Sequence, residues 1–209
     1  MARGDGESAG IGGAQWGSEF CAGTIIINGG IVKAYGDDYG AGIGGGDDRG
    51  GGTVIINDGH VEAYGGTDAA GIGGGEGGDG GFVKIHGGYV YAQGNSYGSG
   101  IGAGEDGNGG EVTIDITSGN PLYVEAVGGS DMSYYTGSIG SNVDTKVGTL
   151  ILGNGVKTKT YHYEGSYWET VKVENNPVKF VHERRKAVLF TCDHAGYTAA
   201  TCPYCHHHD

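Results

Sequence analysis

Short runs in which every second residue is apolar recur along this chain, and glycines close each of them. One kind reads Thr24-Ile-Ile-Ile-Asn28, Thr53-Val-Ile-Ile-Asn57, Phe82-Val-Lys-Ile-His86 and Glu111-Val-Thr-Ile-Asp115. A turn later comes the other: Ile31-Val-Lys-Ala-Tyr35, His60-Val-Glu-Ala-Tyr64, Tyr89-Val-Tyr-Ala-Gln93 and Tyr123-Val-Glu-Ala-Val127. Successive side chains of a strand point to opposite faces, so a period of two assigns each position to one side. Val32, Val61, Val90 and Val124 share a side with Ala34, Ala63, Ala92 and Ala126. Ile25, Val54, Val83 and Val112 do the same with Ile27, Ile56, Ile85 and Ile114. Aligned positions stay apolar and slim.

A third segment sets the period. Ala-Gly-Ile-Gly-Gly stands at 9–13, 41–45 and 70–74, and returns as Ser99-Gly-Ile-Gly-Ala and Gly137-Ser-Ile-Gly-Ser. Its isoleucines, Ile11, Ile43, Ile72, Ile101 and Ile139, fall 32, 29, 29 and 38 residues apart. The two equal intervals define the unit, and the longer ones carry insertions. One such unit cannot bury its own apolar face; parallel coils stacked at roughly 4.8 Å place like residues on like and close a narrow core. The pattern predicts an all-β parallel β-solenoid, a right-handed β-helix of about five coils over residues 1–165. A small β cap over 166–190 and a Cys/His-rich tail over 191–209 follow. Propeller blades of roughly 40 residues or more are longer than this unit. A polyproline II bundle would not show the two-residue alternation.

Composition sharpens the picture. Glycine supplies 49 of 209 residues without a three-residue period, which excludes collagen, and the Val/Ile runs between the glycines separate the chain from disordered linkers. A net charge of −13 repels phosphate backbones, so no nucleic-acid partner is expected. No apolar run reaches the roughly 20 residues that span a bilayer, so no membrane insertion is expected either. Met1-Ala-Arg-Gly-Asp leads straight into a Gly-rich turn, with no secretory signal. Because the first repeat begins part-way through a coil, the chain is expected to be a fragment of a longer protein, cut from its signal. The tripeptide Arg3-Gly4-Asp5 carries no weight in so Gly-rich a sequence.

Ala-Gly-Ile-Gly-Gly-Gly, then Gly-Thr-Val-Ile-Ile-Asn, then Gly-x-Val-x-Ala-x-Gly resembles the Gly-rich repeats of large secreted or surface-attached bacterial proteins. These fall in the broad pectate-lyase-like β-helix class and are often labelled carbohydrate-binding. The resemblance covers about residues 9–153. It implies a β-helix, an extracellular or cell-surface setting and a scaffold role, and says little about activity.

Two sets of residues invite chemistry. Four positions after each repeat isoleucine stands Gln15, Asp47, Glu76 or Glu105, with Asp48, Asp79, Asp106 and Asn108 nearby. Stacked coils turn these into a ladder of like charges, which either stays solvated or attracts a hard cation such as calcium. Gly77-Gly-Asp-Gly-Gly-Phe is superficially similar to calcium-binding nonapeptide repeats but lacks Asp at the required place, so that function is not carried over. The second set lies on the outward side of the second strands: Ile31/His60/Tyr89/Tyr123, Lys33/Glu62/Tyr91/Glu125 and Tyr35/Tyr64/Gln93/Val127. Tyr35, Tyr64, Tyr89, Tyr91 and Tyr123 in register suit contact with a glycan or another surface protein. Tyrosine is equally a favoured strand residue. The Asn28, Asn57, His86, Asp115 column at the ends of the first strands is expected to tie down turns.

A polysaccharide-active enzyme is the alternative. Lyases on this scaffold pair cation-holding carboxylates with a base, yet Lys33 and Lys84 are isolated and Arg49 lies in a Gly-rich loop. A glycosidase needs two carboxylates at a defined separation, for which Asp47/Asp48 and Glu105/Asp106 are the nominees. Two of the coils have the minimal 29-residue length, and the insertions that build a substrate cleft on such scaffolds are missing. At the far end, Cys192-x-His194 and Cys202-Pro-Tyr-Cys205 offer four tetrahedral zinc ligands. A disulfide among these cysteines is the competing reading. The leading expectation is a non-catalytic extracellular module that presents its tyrosine face for adhesion. End-to-end assembly through open strand edges is a third reading.

Overall fold

The computed structural model describes residues 1–14, 22–115, 122–131, 134–142, 146, 148–153, 156–161, 168–169 and 186–190. Among them there is no helix, and the chain coils through three sheets in turn. The tyrosine face carries Ala2–Arg3, Ile31–Tyr35, His60–Tyr64, Gly88–Gln93 and Leu122–Val127. The isoleucine face carries Ile11–Gly12, Ile43–Gly44, Ile72–Gly73, Ile101–Gly102 and Ile139–Gly140. The third face carries Thr24–Ile27, Thr53–Ile56, Phe82–Ile85, Glu111–Ile114 and Thr149–Leu152. All these strands pair parallel with the same strand of the next coil. Five passes of each face make about four full turns of a parallel β-solenoid.

Register follows the repeat without a slip. Val61 pairs with Val32 on one side and Val90 on the other, and Val90 with Val124. On the third face Val54 pairs with Val83 and Ile56 with Ile85. The alternation has its predicted consequence: Val54, Ile56, Val61, Ala63, Ile72, Ile85, Val90, Ala92 and Ile101 are wholly excluded from solvent. Burying each Val or Ile stabilises by about 1.5–3 kcal/mol, so the interior rows supply the main driving force. Ile11, Ile25 and Val32 pack on this core but stay partly exposed at its first edge, where among the described residues only Ala2–Arg3 pairs alongside, opposite Ala34 and Tyr35.

The parallel order ends at Leu122–Val127. There Lys186–Phe190 pairs antiparallel, with Ala126 opposite Ala187, and Lys157–Tyr161 pairs in turn with Lys186–Phe190. The sequence suggests that the segment through Tyr161 completes the last coil; instead it sits one strand further out. An antiparallel strand occupies the edge that would otherwise template another parallel strand.

Candidate functional site

On the tyrosine face the outward side chains stand in three columns at the spacing of the coils. Tyr35 and Tyr64 stack with ring centroids 4.9 Å apart and planes within 5°, and Tyr89 stacks on Tyr123 at 5.0 Å and 3°. His60 lies against Tyr89 at 4.5 Å, and Tyr91 leans on Tyr64 at 5.6 Å with the planes 47° apart. Register brings Tyr35 to Tyr64 and Tyr89 to both His60 and Tyr123, about 4.8 Å apart and close to stacking distance, while Tyr91 reaches Tyr64 diagonally. The sequence suggests rings laid open to a ligand. In the structure the stacked rings turn faces on one another, and the Tyr64, Tyr91 and Tyr123 hydroxyls donate to side chains of the same face. Tyr35, Tyr64, Tyr89 and Tyr91 are half-buried, while Tyr123, 9% exposed, belongs to the ladder rather than to open surface.

A polar network runs between the columns. Lys33 Nζ donates to Glu62 Oε2 at 2.8 Å, Tyr64 O–H donates to the same oxygen at 3.2 Å, and His60 Nε2 lies 2.9 Å from Glu62 Oε1. Tyr91 O–H donates to Gln93 Oε1 and Tyr123 O–H to Glu125 Oε2, both at 2.8 Å. The Lys33 hydrogen bond, outweighing a desolvation that acts in the opposite sense, holds the Glu62 carboxyl below its usual range, and His60 and Tyr64 add to it. Burial first, and the Glu62 charge second, push the Tyr64 phenol up to about 12. Burial, then Glu125, also raises Tyr89 and Tyr91. At neutral pH Tyr64, Tyr89 and Tyr91 are therefore neutral phenols and Glu62 is ionised.

The acidic corner is built differently. The Ile72–Gly73 strand is two residues long, and Ala70 N–H donates to Gly74 O at 3.0 Å, folding the flanking turns toward each other. One carboxylate oxygen from each of Asp68, Glu76 and Glu105 then lies within 4.8 Å of the others. Glu76 and Glu105 are among the expected residues; Asp68 is not, because it comes from the turn before the isoleucine. Its signal was present in the sequence, four residues before Ile72 as Glu76 is four after. Burial raises the Glu76 carboxyl, helped by Asp47, Asp68 and Glu105, and raises that of Glu105, helped by Asp68 and Asp106. Asp47 lies near enough for its charge to act on Glu76, and the nominees Asp48, Asp79 and Asp106 serve turns. Asp48 and Asp106 take left-handed backbone at φ 55° and 58°. Asp79 Oδ1 accepts from both the backbone N–H and the side-chain amide of Asn108 at 2.8 Å. Three carboxylate oxygens are half or fewer of the six to eight that calcium takes.

The Asn/His/Asp column behaves as a turn ladder: Asn57 Nδ2 donates to Asn28 Oδ1 at 2.7 Å, and His86 Nδ1 bonds Asp115 Oδ1. The zinc nominees Cys192, His194, Cys202 and Cys205 lie outside the described residues, as does Gln15.

The family model for the beta helix repeat matches residues 25–47, 54–76 and 83–105. Each match begins on the third face, crosses the tyrosine face and ends at the acidic position, Asp47, Glu76 or Glu105. Family match and coiled architecture coincide: three beta helix repeats lie within the parallel β-solenoid. No curated protein and no solved structure matches the chain.

Proposed function

We propose that this chain is a rigid, non-catalytic display module of the cell surface or extracellular space, and that its tyrosine face contacts glycan. The supporting observation is the row of half-buried phenols around Glu62, fixed by ring stacking and hydrogen bonds on a flat parallel sheet. Side chains already held in place lose little freedom when a ligand docks, which favours binding. Where one ring covers the face of the next, the contacts left to a ligand are hydroxyl, carboxylate and ring-edge contacts, which a polyhydroxylated sugar can match. A surface protein is the other class of partner such a face serves.

The test is binding of the wild type, Tyr64→Ala and Tyr91→Ala to a glycan array, with circular dichroism to verify folding. The wild type should capture a defined set of glycans and release no shortened product. Each substitution should weaken capture about tenfold, the effect of losing one or two good polar contacts. Capture that both variants retain in full would remove the tyrosine face from the function. Release of reducing ends or unsaturated products would replace the module with an enzyme.

A further inference from the structure

The chain holds two Asn-Gly steps among its described residues, Asn28–Gly29 and Asn108–Gly109, and the fold treats them oppositely. This dipeptide is the most prone to spontaneous deamidation, because glycine leaves its amide nitrogen open to approach from the preceding side chain. At Asn108 both participants are held. Its Nδ2 donates to Asp79 Oδ1 at 2.8 Å, and the N–H of buried Gly109 donates to Lys146 O at 2.7 Å. At Asn28 the glycine nitrogen is not held, and the side chain is held through its oxygen alone, which leaves the departing nitrogen unbonded. Asn28, Gly29 and Gly30 are exposed, and a Cβ placed on either glycine would meet nothing within 4 Å. Among the described residues the Gly29 N–H and Asn28 Nδ2 donate to nothing; the side chain's one bond is from Asn57 Nδ2 to Asn28 Oδ1.

We propose that Asn28 is a self-modification site, converting to aspartate and isoaspartate in the folded protein, while Asn108 is protected. The Gly29 nitrogen gives up its proton to water and bonds to Asn28 Cγ. The Cγ–Nδ2 bond breaks, and ammonia leaves with a proton from water. Water then adds to either carbonyl of the five-membered imide and opens it. The aspartate product still accepts from Asn57 Nδ2, now as a charge-assisted bond. The isoaspartate product lengthens the main chain by one methylene in the turn entering Ile31–Tyr35. Either adds a negative charge at the first coil.

Peptide mapping by mass spectrometry during warm, mildly alkaline incubation of the full chain tests this. The amide-to-acid mass change should accumulate at Asn28 roughly tenfold faster than at Asn108 or more, since Asn108 must first break two hydrogen bonds. In urea, where both steps are unfolded, the ratio should collapse toward one. Equal rates in the folded protein, a faster Asn108, or a ratio that survives unfolding would each overturn the proposal.

Discussion

Replacing Gly73 by alanine sets the stacking of coils against the chemistry of a single residue. Gly73 holds φ at +138°, outside the range L side chains adopt, and an added Cβ would overlap the backbone oxygen of Gly102 on the next coil. The strain of such a conformation costs about 1–3 kcal/mol. The clash is with backbone, so the coils must also part, and Gly74 N–H to Gly102 O at 2.9 Å and Ile72 N–H to Gly100 O at 3.0 Å are the bonds at risk. Losing two such bonds adds about 1–3 kcal/mol, for a total of about 2–6 kcal/mol. Gly77 provides the control. It too has positive φ, at +67°, but an added Cβ would press only on the Asp48 side-chain carboxylate, with the Asp48 backbone at ordinary contact distance, and Asp48 and Asp106 hold the equivalent conformation in neighbouring coils. Gly77→Asn should therefore cost less than about 1 kcal/mol. Urea midpoints followed by far-ultraviolet circular dichroism give the comparison. Equal losses for the two variants, or a Gly73→Ala midpoint matching wild type, would refute the reasoning.

Other expectations follow from the same geometry. Ile85, wholly buried, should lose about 2–5 kcal/mol on Ile85→Ala, whereas Phe82→Ala on the same strand, 54% exposed, should stay within about 1 kcal/mol by urea titration. The raised carboxyls of Glu76 and Glu105 bind protons more readily folded than unfolded. Their contribution is therefore favourable below the unfolded carboxyl range and is lost as pH rises through the folded values. Glu105→Gln should accordingly raise the melting temperature at pH 7, reflecting a stability gain of a few tenths to about 1 kcal/mol for a screened pair, and the gain should vanish near pH 4. If a cation relieves the same repulsion, millimolar calcium will raise melting of the wild type and not of Glu105→Gln; no shift would leave the corner a solvated edge. Glu62 has the opposite sign, its lowered carboxyl adding stability above the unfolded range that is lost as pH falls through the folded value. Glu62→Gln should thus flatten the acid limb of a stability–pH curve.

The fold was legible because both of its signals are periodic. Alternation separated Val61 and Ala63 from Glu62 and Tyr64, and the 29-residue interval aligned Val61 with Val90. Neither signal depends on contacts that sequence leaves unseen. The sites were less legible because they arise from three-dimensional detail between rows. That Tyr35 and Tyr64 spend their ring faces on each other follows from rotamers, not from register alone. Asp68 reaches Glu105 only because a two-residue strand folds two turns together and a later coil brings the third carboxylate. The strand Lys186–Phe190 that takes the last parallel edge has no repeat to announce it.

Direct stacking of successive coils is best tested by cross-linking. On the third face Ile55 pairs with Lys84, and Lys84 with Thr113. Neighbouring strands put paired Cα atoms about 4.8 Å apart, within disulfide reach, and next-but-one strands about 9.6 Å, beyond it. In a background with Cys21, Cys192, Cys202 and Cys205 changed to serine, Ile55→Cys/Lys84→Cys should oxidise to an intramolecular disulfide identified by peptide mass. Ile55→Cys/Thr113→Cys should not. A disulfide in the second pair and none in the first would contradict the coil.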